Sequence, residues 1–289
     1  MDALLALLLD ATNLILVVML VALGLVIIFG LMRVINLAHG ELFLLGAYVV
    51  VLVQGQGGSF WLALILAPLV VGLIGLLLEE LVIRHVYHRF LDSILATWGL
   101  SIVIKQAVVI GFGPASHSVA SPIAASIGLF GASYPVYRLF VMAVAVAVIA
   151  LTFWLFFRTR FGLAARGVIA NRDMASCLGI DTRRLDRLTF ATGAGLAGFA
   201  GAVMTPLMSV DPQMGLGFLV PAFLSILVGG VGSLGGTLAG AAVIGGTDTL
   251  AANLWSPVVA QITVFTMAVV VIRLFPRGIA GEVERRRRR

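Results

Sequence analysis

The feature that most constrains this chain is a succession of long apolar runs separated by short polar breaks. An α-helix needs about 20 apolar residues to cross the hydrocarbon core of a bilayer, and several runs approach that length. The chain is 61% hydrophobic and only 11% charged, unlike soluble proteins. We therefore predict an all-α polytopic membrane protein, a bundle of about 8–9 transmembrane helices, some of them short or broken. The predicted spans are residues 14–32, 42–53, 61–78, 94–112, 137–157, 188–210, 218–228, 237–247 and 258–275.

The longest polar interruption is the segment 158–187, which carries seven arginines against three aspartates. Arginine-rich loops between apolar spans stay on the cytoplasmic side of a membrane. A basic loop at 84–89 and the basic tail at 282–289 fit the same side. The polar, almost uncharged segment 113–134 is predicted to lie on the opposite side. Counting back from these loops places the N-terminus outside, with the even or odd number of spans left open.

Within this loop, residues 163–178 have the spacing of an amphipathic helix, since apolar residues recur every three or four positions. Gly179 follows at the position where the C-terminal cap of such a helix is expected. Two interpretations stay open on the residues alone. The helix either lies on the lipid headgroups or forms a rigid docking helix for a cytoplasmic partner.

Two segments inside the apolar regions are rich in polar residues or glycine, RVINLAHGE (33–41) and GGVGSLGG (229–236). Polar groups are costly in hydrocarbon, so such segments face protein or a water-filled cavity. Each lies within a similar pattern (30–48 and 228–246), which indicates two related halves with a solute path between them. The alternative is that the glycines only allow close helix packing. The residues predicted to line the path are Asn36, His39, Glu41, Thr97, Trp98, Ser101, Gly230, Gly232 and Ser233.

Charged residues inside the apolar spans need partners. An isolated carboxylate in hydrocarbon is unfavourable, so Glu41 is expected to contact water or Arg33, Asn36 or His39, its nearest candidates in sequence. Lys105 is the only lysine and lies well inside its span. We expect its side chain to extend to the extracytoplasmic rim, with contact to a solute carboxylate as the alternative.

Several other classes are excluded or disfavoured. A phosphate-binding loop of the GxxxxGK[ST] type is impossible because the only lysine is Lys105. Histidines and carboxylates lack metal-ligand spacing, so we predict no metal site. The formal charge of +6 comes from the arginines of the loop and tail, which indicates contact with anionic lipid rather than nucleic acid. An ion-gradient-driven secondary transporter or channel is the alternative function, and a membrane enzyme using His39 and Glu41 is a further one.

Four segments together carry a resemblance to a known family. RVINLAHGELFLLGAY (33–48) resembles a signature of the permease subunits of branched-chain amino-acid ABC importers, the hydrophobic amino-acid uptake family. RFGLAARGVIANRDMASCLGIDTRRLDRLTF (160–190) is similar to their coupling loop. GGVGSLGGTLAGAAVIG (229–245) and FPRGI (275–279) are similar to their second-half signatures. The family includes importers of urea and short-chain amides, and NRDMASCLGI is at least as similar to that branch.

The resemblance implies a single transmembrane permease domain over 1–289, with 158–187 as its cytoplasmic coupling loop and 282–289 as a basic cytoplasmic tail. It implies a multi-pass location in the bacterial inner (cytoplasmic) membrane. The implied partners are a second permease subunit, identical or homologous, two cytoplasmic ATP-binding subunits, a periplasmic solute-binding protein and membrane lipid. No cofactor and no catalytic residue are implied in this chain, because ATP and Mg are bound by the ATP-binding subunits.

The resemblance also favours the docking interpretation of the loop, with alternating access driven by closure of the ATPase pair. The residues predicted at the ATPase interface are Arg166, Asn171, Met174, Ala175, Leu178 and Gly179. Ala175 is expected to lie close to the partner, and Gly179 to need a backbone conformation that a β-carbon resists. The path is expected to be a narrow, largely apolar passage at the interface of the permease pair. The solute stays open among branched-chain amino acids, urea and amides.

Overall fold

The computed structural model describes residues 2–87, 89–129, 132–276 and 278–287. Arg277 and the last two residues of the predicted basic tail, Arg288 and Arg289, therefore lie outside the described residues. The helices are α1 (Asp2–Met32), α2 (His39–Gly55), α3 (Phe60–Leu81), α4 (Phe90–Phe112), α5 (Val136–Arg158), α6 (Arg160–Ala170), α7 (Arg172–Cys177), α8 (Thr182–Met204), α9 (Met214–Gly229), α10 (Leu234–Leu254), α11 (Pro257–Leu274) and α12 (Gly278–Arg287). Two strands, β1 (Ser126–Leu129) and β2 (Ala132–Pro135), form a hairpin.

The prediction of an all-α polytopic membrane protein is confirmed. Within the described ranges, six helical segments are long and apolar enough to cross a bilayer. They are Leu5–Met32, Phe60–His85, Leu91–Phe112, Val136–Arg158, Thr182–Leu207 and Pro257–Glu282. The two shorter apolar helices are α2 and α9, and α10 packs beside α9 and α1. Together these nine elements correspond one to one with the predicted apolar runs.

The centre of the bundle is α8, which packs against α1, α2 and α3. Its inward face is made of small residues, which let helix backbones approach closely. A β-carbon at Gly201 would lie 1.9 Å from the Phe43 carbonyl oxygen, so α8 touches the backbone of α2 directly. The helices α4, α5 and α11 lie at the periphery and turn large apolar side chains outward, as expected of surfaces facing lipid.

Two related halves can be recognised, but their correspondence differs from the predicted one. In the first half, α1 is followed by an irregular stretch, residues 33–38, and then by the short helix α2. In the second half, α8 with a 3₁₀ turn (Thr205–Leu207) is followed by an equally long stretch, residues 208–213, and the short helix α9. The predicted pairing of 30–48 with 228–246 is therefore wrong. We call residues 33–38 the first break and the turn between α9 and α10, residues 230–233, the second break.

The arginine-rich loop folds as two short helices, so the prediction of one helix over 163–178 is wrong. Asn171 separates α6 from α7 with extended backbone (φ −159°, ψ 106°), and its side chain accepts a hydrogen bond from the Met174 N–H at 3.0 Å. Asparagine competes with the helical backbone in this way and favours a helix start. Gly179 ends α7 with φ 85°, as predicted for a glycine cap.

The end of the bundle opposite this loop carries the β-hairpin, which was not predicted within 113–134. His117 and Val210 exchange two backbone hydrogen bonds of 2.8 Å, which join this outer region to the stretch before α9. Asp10 in α1 forms an ion pair with Arg138 and accepts a hydrogen bond from Tyr134 at 3.1 Å. Burial and the nearby Asp10 carboxylate raise the pKa of Tyr134, so this phenol stays a donor. These contacts place the start of α1 at the hairpin end.

Candidate functional site

The first break is held in place by α4. Arg33 enters it with φ 54°, the only positive φ of a non-glycine residue in the described part of the chain. The Asn36 side-chain oxygen accepts a hydrogen bond from the Ala38 N–H at 3.1 Å. Thr97 on α4 accepts one from the Leu37 N–H at 3.2 Å, and its hydroxyl lies 3.1 Å from the Ile35 carbonyl oxygen. Thr97 therefore binds the backbone of the break.

Glu41 on α2 is buried and pairs with α4. The Ser101 hydroxyl donates a hydrogen bond of 2.9 Å to Glu41 Oε1, and Lys105 Nζ lies 3.8 Å from the same oxygen. The predicted partners Arg33, Asn36 and His39 are thus wrong. Lys105 is only 20% exposed in its side chain and points to Glu41, so its predicted extension to the rim is wrong too. Ser101 and Lys105 are one helical turn apart on α4 and therefore share a face, which brings both side chains to Glu41.

Three buried polar atoms around the first break have no hydrogen-bond partner among the described residues: Asn36 Nδ2, His39 Nδ1 and Glu41 Oε2. The other imidazole nitrogen of His39, Nε2, lies 3.0 Å from the Val21 carbonyl oxygen. An unsatisfied buried polar group costs about 1–3 kcal/mol, so a cluster of them needs an explanation such as water or a functional role. We call this group, with Ser101 and Lys105, the central junction.

The two short helices begin side by side at the central junction. A β-carbon on Gly40 would lie 2.5 Å from the Gly215 carbonyl oxygen, and one on Gly215 would lie 2.6 Å from that of Gly40. Backbones can meet this closely only where both residues lack side chains. The free Glu41 oxygen faces this contact, 3.1 Å from the β-carbon position of Gly215. The carboxylate therefore lies at the first turn of α9, where the helix dipole favours negative charge.

The second break is compact and uses its polar groups locally. Gly230 and Gly232 have φ values of 111° and 82°, and the Ser233 hydroxyl accepts a hydrogen bond from the Gly236 N–H at 3.0 Å. The turn packs under α12, since a β-carbon on Gly278 would lie 2.3 Å from Gly230 Cα.

Apolar side chains lie between the two breaks. A small cavity of about 50 Å³ lies between them and is lined by Leu25, Phe29, Ile35, Phe223, Ile226, Leu227 and Val231. Sequence analysis missed Ile35 and Val231 because apolar side chains in an apolar chain give no signal. Trp98, also predicted for the path, is 49% exposed and is absent from both the central junction and this cavity.

The arginine-rich loop presents an apolar surface away from the bundle. Leu163, Met174 and Leu178 are 65%, 58% and 76% exposed, and we call the surface formed by them with Asn171 the loop face. Large apolar side chains exposed together on a polar segment mark an interaction site. Arg166 instead binds the end of α5, because its guanidinium donates to the Phe156 carbonyl and lies 5.2 Å from the Phe157 ring centre.

Ala175 is 3% exposed and belongs to the buried cluster that contains Ile83, Val168 and Phe190, so its side chain faces the bundle rather than the loop face. Its position close to a partner stays a prediction. Ala175 is the only buried residue of α7, and Met174 in the helix and Leu178 at its C-terminal cap are exposed on the other side. Replacing Ala175 by Glu would bury a charge in the chain's own core.

Ion pairs tie the loop to the end of α3. Arg172 on α7 pairs with the buried Asp186, with an Nη1–Oδ1 distance of 3.2 Å. Glu80 is contacted by three arginines: Arg84, Arg183 and Arg187. Tyr87 donates a hydrogen bond to Glu79, and burial together with this carboxylate raises the pKa of the phenol, which keeps it protonated as a donor. Sequence analysis missed this network, whose only signal was opposite charge at the ends of neighbouring spans.

Comparisons with known proteins give a consistent result. The family model described as "Branched-chain amino acid transport system / permease component" matches residues 7–274. The chain is 29% identical to the high-affinity branched-chain amino acid transport system permease protein LivH of Salmonella typhimurium, over 92% of this chain and 91% of the relative. It is 26% identical to the corresponding protein BraD of Pseudomonas aeruginosa, over 92% of both chains. A probable branched-chain amino acid transport permease protein of Methanocaldococcus jannaschii is 25% identical over 80% of this chain and 76% of its own.

Proposed function

We propose, from the premise that this chain belongs to the family of permease components of branched-chain amino acid transport systems, that it is the membrane subunit of an ATP-driven importer of branched-chain amino acids. The chain is a multi-pass membrane protein, as predicted. The names of its relatives in two bacteria and an archaeon support the solute class. Urea and short-chain amides have no support in these comparisons. ATP and Mg belong, in this proposal, to separate subunits.

The loop face is the observation that carries the proposal. Its apolar residues are exposed on the surface of the chain, where its own core does not cover them. The pair Arg172–Asp186 and the cap at Asn171 hold α7 rigidly against the bundle. A partner that binds this surface can therefore move α3 and α8 with it through the ion pairs of Glu80. A ligand shifts a conformational equilibrium only through different contacts in the two states, and the loop face offers such contacts to an ATPase.

The central junction supplies the other half of the proposal, a closed point on the solute path. The starts of α2 and α9 touch there, and the small cavity between the breaks lies next to it. Separation of these two helices would open a passage between the halves. Orphaned groups on Asn36, His39 and Glu41 would then face water or solute.

Reconstitution in liposomes with its ATP-binding subunits and binding protein tests the function. We expect leucine uptake that requires ATP and stops when the ATP-binding subunits are omitted. Uptake by this chain alone under a proton gradient would instead establish a secondary transporter. Parallel assays with urea and acetamide as solutes identify the solute class. Uptake of either one in place of leucine would overturn the proposal that the solute is a branched-chain amino acid.

Docking is tested by co-purification of the ATP-binding subunit. Met174→Glu and Leu178→Glu are expected to reduce the amount retained at least tenfold, because each places a charge on the apolar loop face. Ile127→Glu is the matched control, since Ile127 is 47% exposed on the hairpin at the opposite end. Equal retention by all three variants would show that the ATPase binds elsewhere.

A further inference from the structure

An apolar groove between α3, α5 and α8 belongs neither to the central junction nor to the loop face. It has a volume of about 600 Å³, within the range of about 300–1,000 Å³ typical of ligand pockets. Thr152 and Thr192 are its only polar lining side chains among the described residues, and each hydroxyl donates to a carbonyl of its own helix. The described side chains of the groove therefore offer no unused hydrogen-bond donor, and its surface is almost entirely apolar.

The extent of the groove matches one leaflet of a bilayer. On α8 it runs from Leu188 to Phe199, which is about 16 Å at a rise of 1.5 Å per residue. This is about half of the ~30 Å hydrocarbon thickness. Leu188 directly follows the arginine-rich loop, so the groove lies in the leaflet on that side, cytoplasmic by the positive-inside rule.

Two arginines without ion-pair partners among the described residues stand at this end of the groove. Arg158 is three residues beyond Leu155 on α5, and Arg184 is four residues before Leu188 on α8, so each shares the helix face of a lining residue. Both are exposed. Four other arginines at this end, Arg84, Arg172, Arg183 and Arg187, are already engaged with Glu79, Glu80 or Asp186. The acidic groups at the end of α3 are thereby compensated. Arg166 donates to the Phe156 carbonyl, and Arg160, the first residue of α6, is exposed but follows the end of α5.

We propose that the α3–α5–α8 groove binds an anionic phospholipid of the loop-side leaflet. One acyl chain lies along the groove, and the phosphate lies between Arg158 and Arg184. Because lipid tails outside the groove are as apolar as its walls, chain burial adds little selectivity. The preference for an anionic phospholipid over a neutral one therefore comes from its headgroup charge, which Arg158 and Arg184 attract.

Lipid binding to the purified full chain tests the proposal. Phosphatidylglycerol and phosphatidylcholine with identical acyl chains are titrated, and bound lipid is counted by native mass spectrometry. We expect phosphatidylglycerol to bind about 25-fold more tightly, with a loss of about fivefold for Arg158→Gln or Arg184→Gln and of the whole preference for the double variant. Arg273→Gln is the control, because Arg273 is equally exposed and without an ion-pair partner in the described part of α11, remote from the groove.

Filling the groove provides an independent measurement. Ala191 lines it and is half-buried, so Ala191→Phe is expected to displace the bound lipid, whereas Val270→Phe on the lipid-facing side of α11 is not. Equal binding of the two lipids, or wild-type phosphatidylglycerol binding by the double arginine variant, would overturn the proposal. So would a shift of Ala191→Phe from dimer to monomer without lipid loss, which would show that a second protein chain covers the groove. Should Ala191→Phe fail to fold, the arginine series decides.

Discussion

The first break at 33–38 and the second break at 230–233 both interrupt apolar helices, yet they treat their polar groups differently. In the second break the Ser233 hydroxyl caps α10 and the glycines allow a tight turn under α12. Around the first break, Asn36, His39 and Glu41 each keep one buried polar atom without a hydrogen-bond partner in the described part of the chain. Buried polar groups in structural turns normally have partners, because each unsatisfied group costs about 1–3 kcal/mol. The comparison is the basis for the proposal that the first break serves the path, whereas the second shapes the fold.

The largest expected effect comes from breaking the ion pair between Glu41 and Lys105, beside the first break. Glu41→Gln leaves Lys105 without its partner, and removing one member of a buried pair costs about 3–5 kcal/mol. We expect a sharply reduced folded yield and a lower melting temperature in detergent, measured by fluorescence-detected size exclusion.

The double variant Glu41→Gln/Lys105→Met separates folding from transport. It removes both charges, so folding should recover while ATP-dependent uptake stays impaired. Recovery of both would mean that the pair is structural, and the contrast between the two breaks would then disappear.

An intermediate effect is expected from filling the contact between α9 and α10 that flanks the second break. A β-carbon on Gly229 would lie 2.0 Å from the Gly236 carbonyl oxygen, so Gly229→Ala should destabilise the fold by about 1–3 kcal/mol. Gly235→Ala is the matched control, because it lies in α10 with no atom within 4 Å of the added carbon. It should be neutral or stabilising by up to about 1 kcal/mol. Thermal melting checks both, and uptake per folded molecule should stay at the wild-type level.

The smallest effect, and the sharpest comparison, comes from Asn36→Ala and Ser233→Ala. Each removes one side chain that accepts a local backbone hydrogen bond, at a cost of about 1 kcal/mol. The stability loss should thus be similar, but only Asn36→Ala should change the rate of uptake or its dependence on solute concentration. Unaltered transport by Asn36→Ala, and likewise by His39→Ala, would remove both residues from the path.

Much of the fold could be predicted because hydrophobic length is a local property. Each apolar run became a helix, and Gly179 became a cap, since neither outcome depends on distant contacts. The partners of Glu41 could not be predicted, because they depend on which face of α4 turns towards α2. The inward position of Ala175 likewise depends on how α7 packs.

The split at Asn171 was accessible in principle, since asparagine before Arg-Asp is a common helix start. The helical periodicity of the flanking segments concealed it. The hairpin β1–β2 lay in a polar loop whose strands are short and carry only weak alternation. The correspondence of the halves failed because the second half has two interruptions, 208–213 and the glycine-rich segment 229–236, and composition alone does not identify which of them matches the first break.

The position of Glu41 also has a consequence for the synthesis of the protein. The helix α2, with its 17 residues, leaves the ribosome well before α4, because Ser101 follows Glu41 by 60 residues. The contact of Gly40 with Gly215 forms later still, when the second half has been made. A short helix with a carboxylate near its start is poorly suited to enter lipid alone. We therefore expect α2 to stay hydrated or sheltered by the insertion machinery until α4 arrives, so that the first half enters the membrane cooperatively rather than helix by helix.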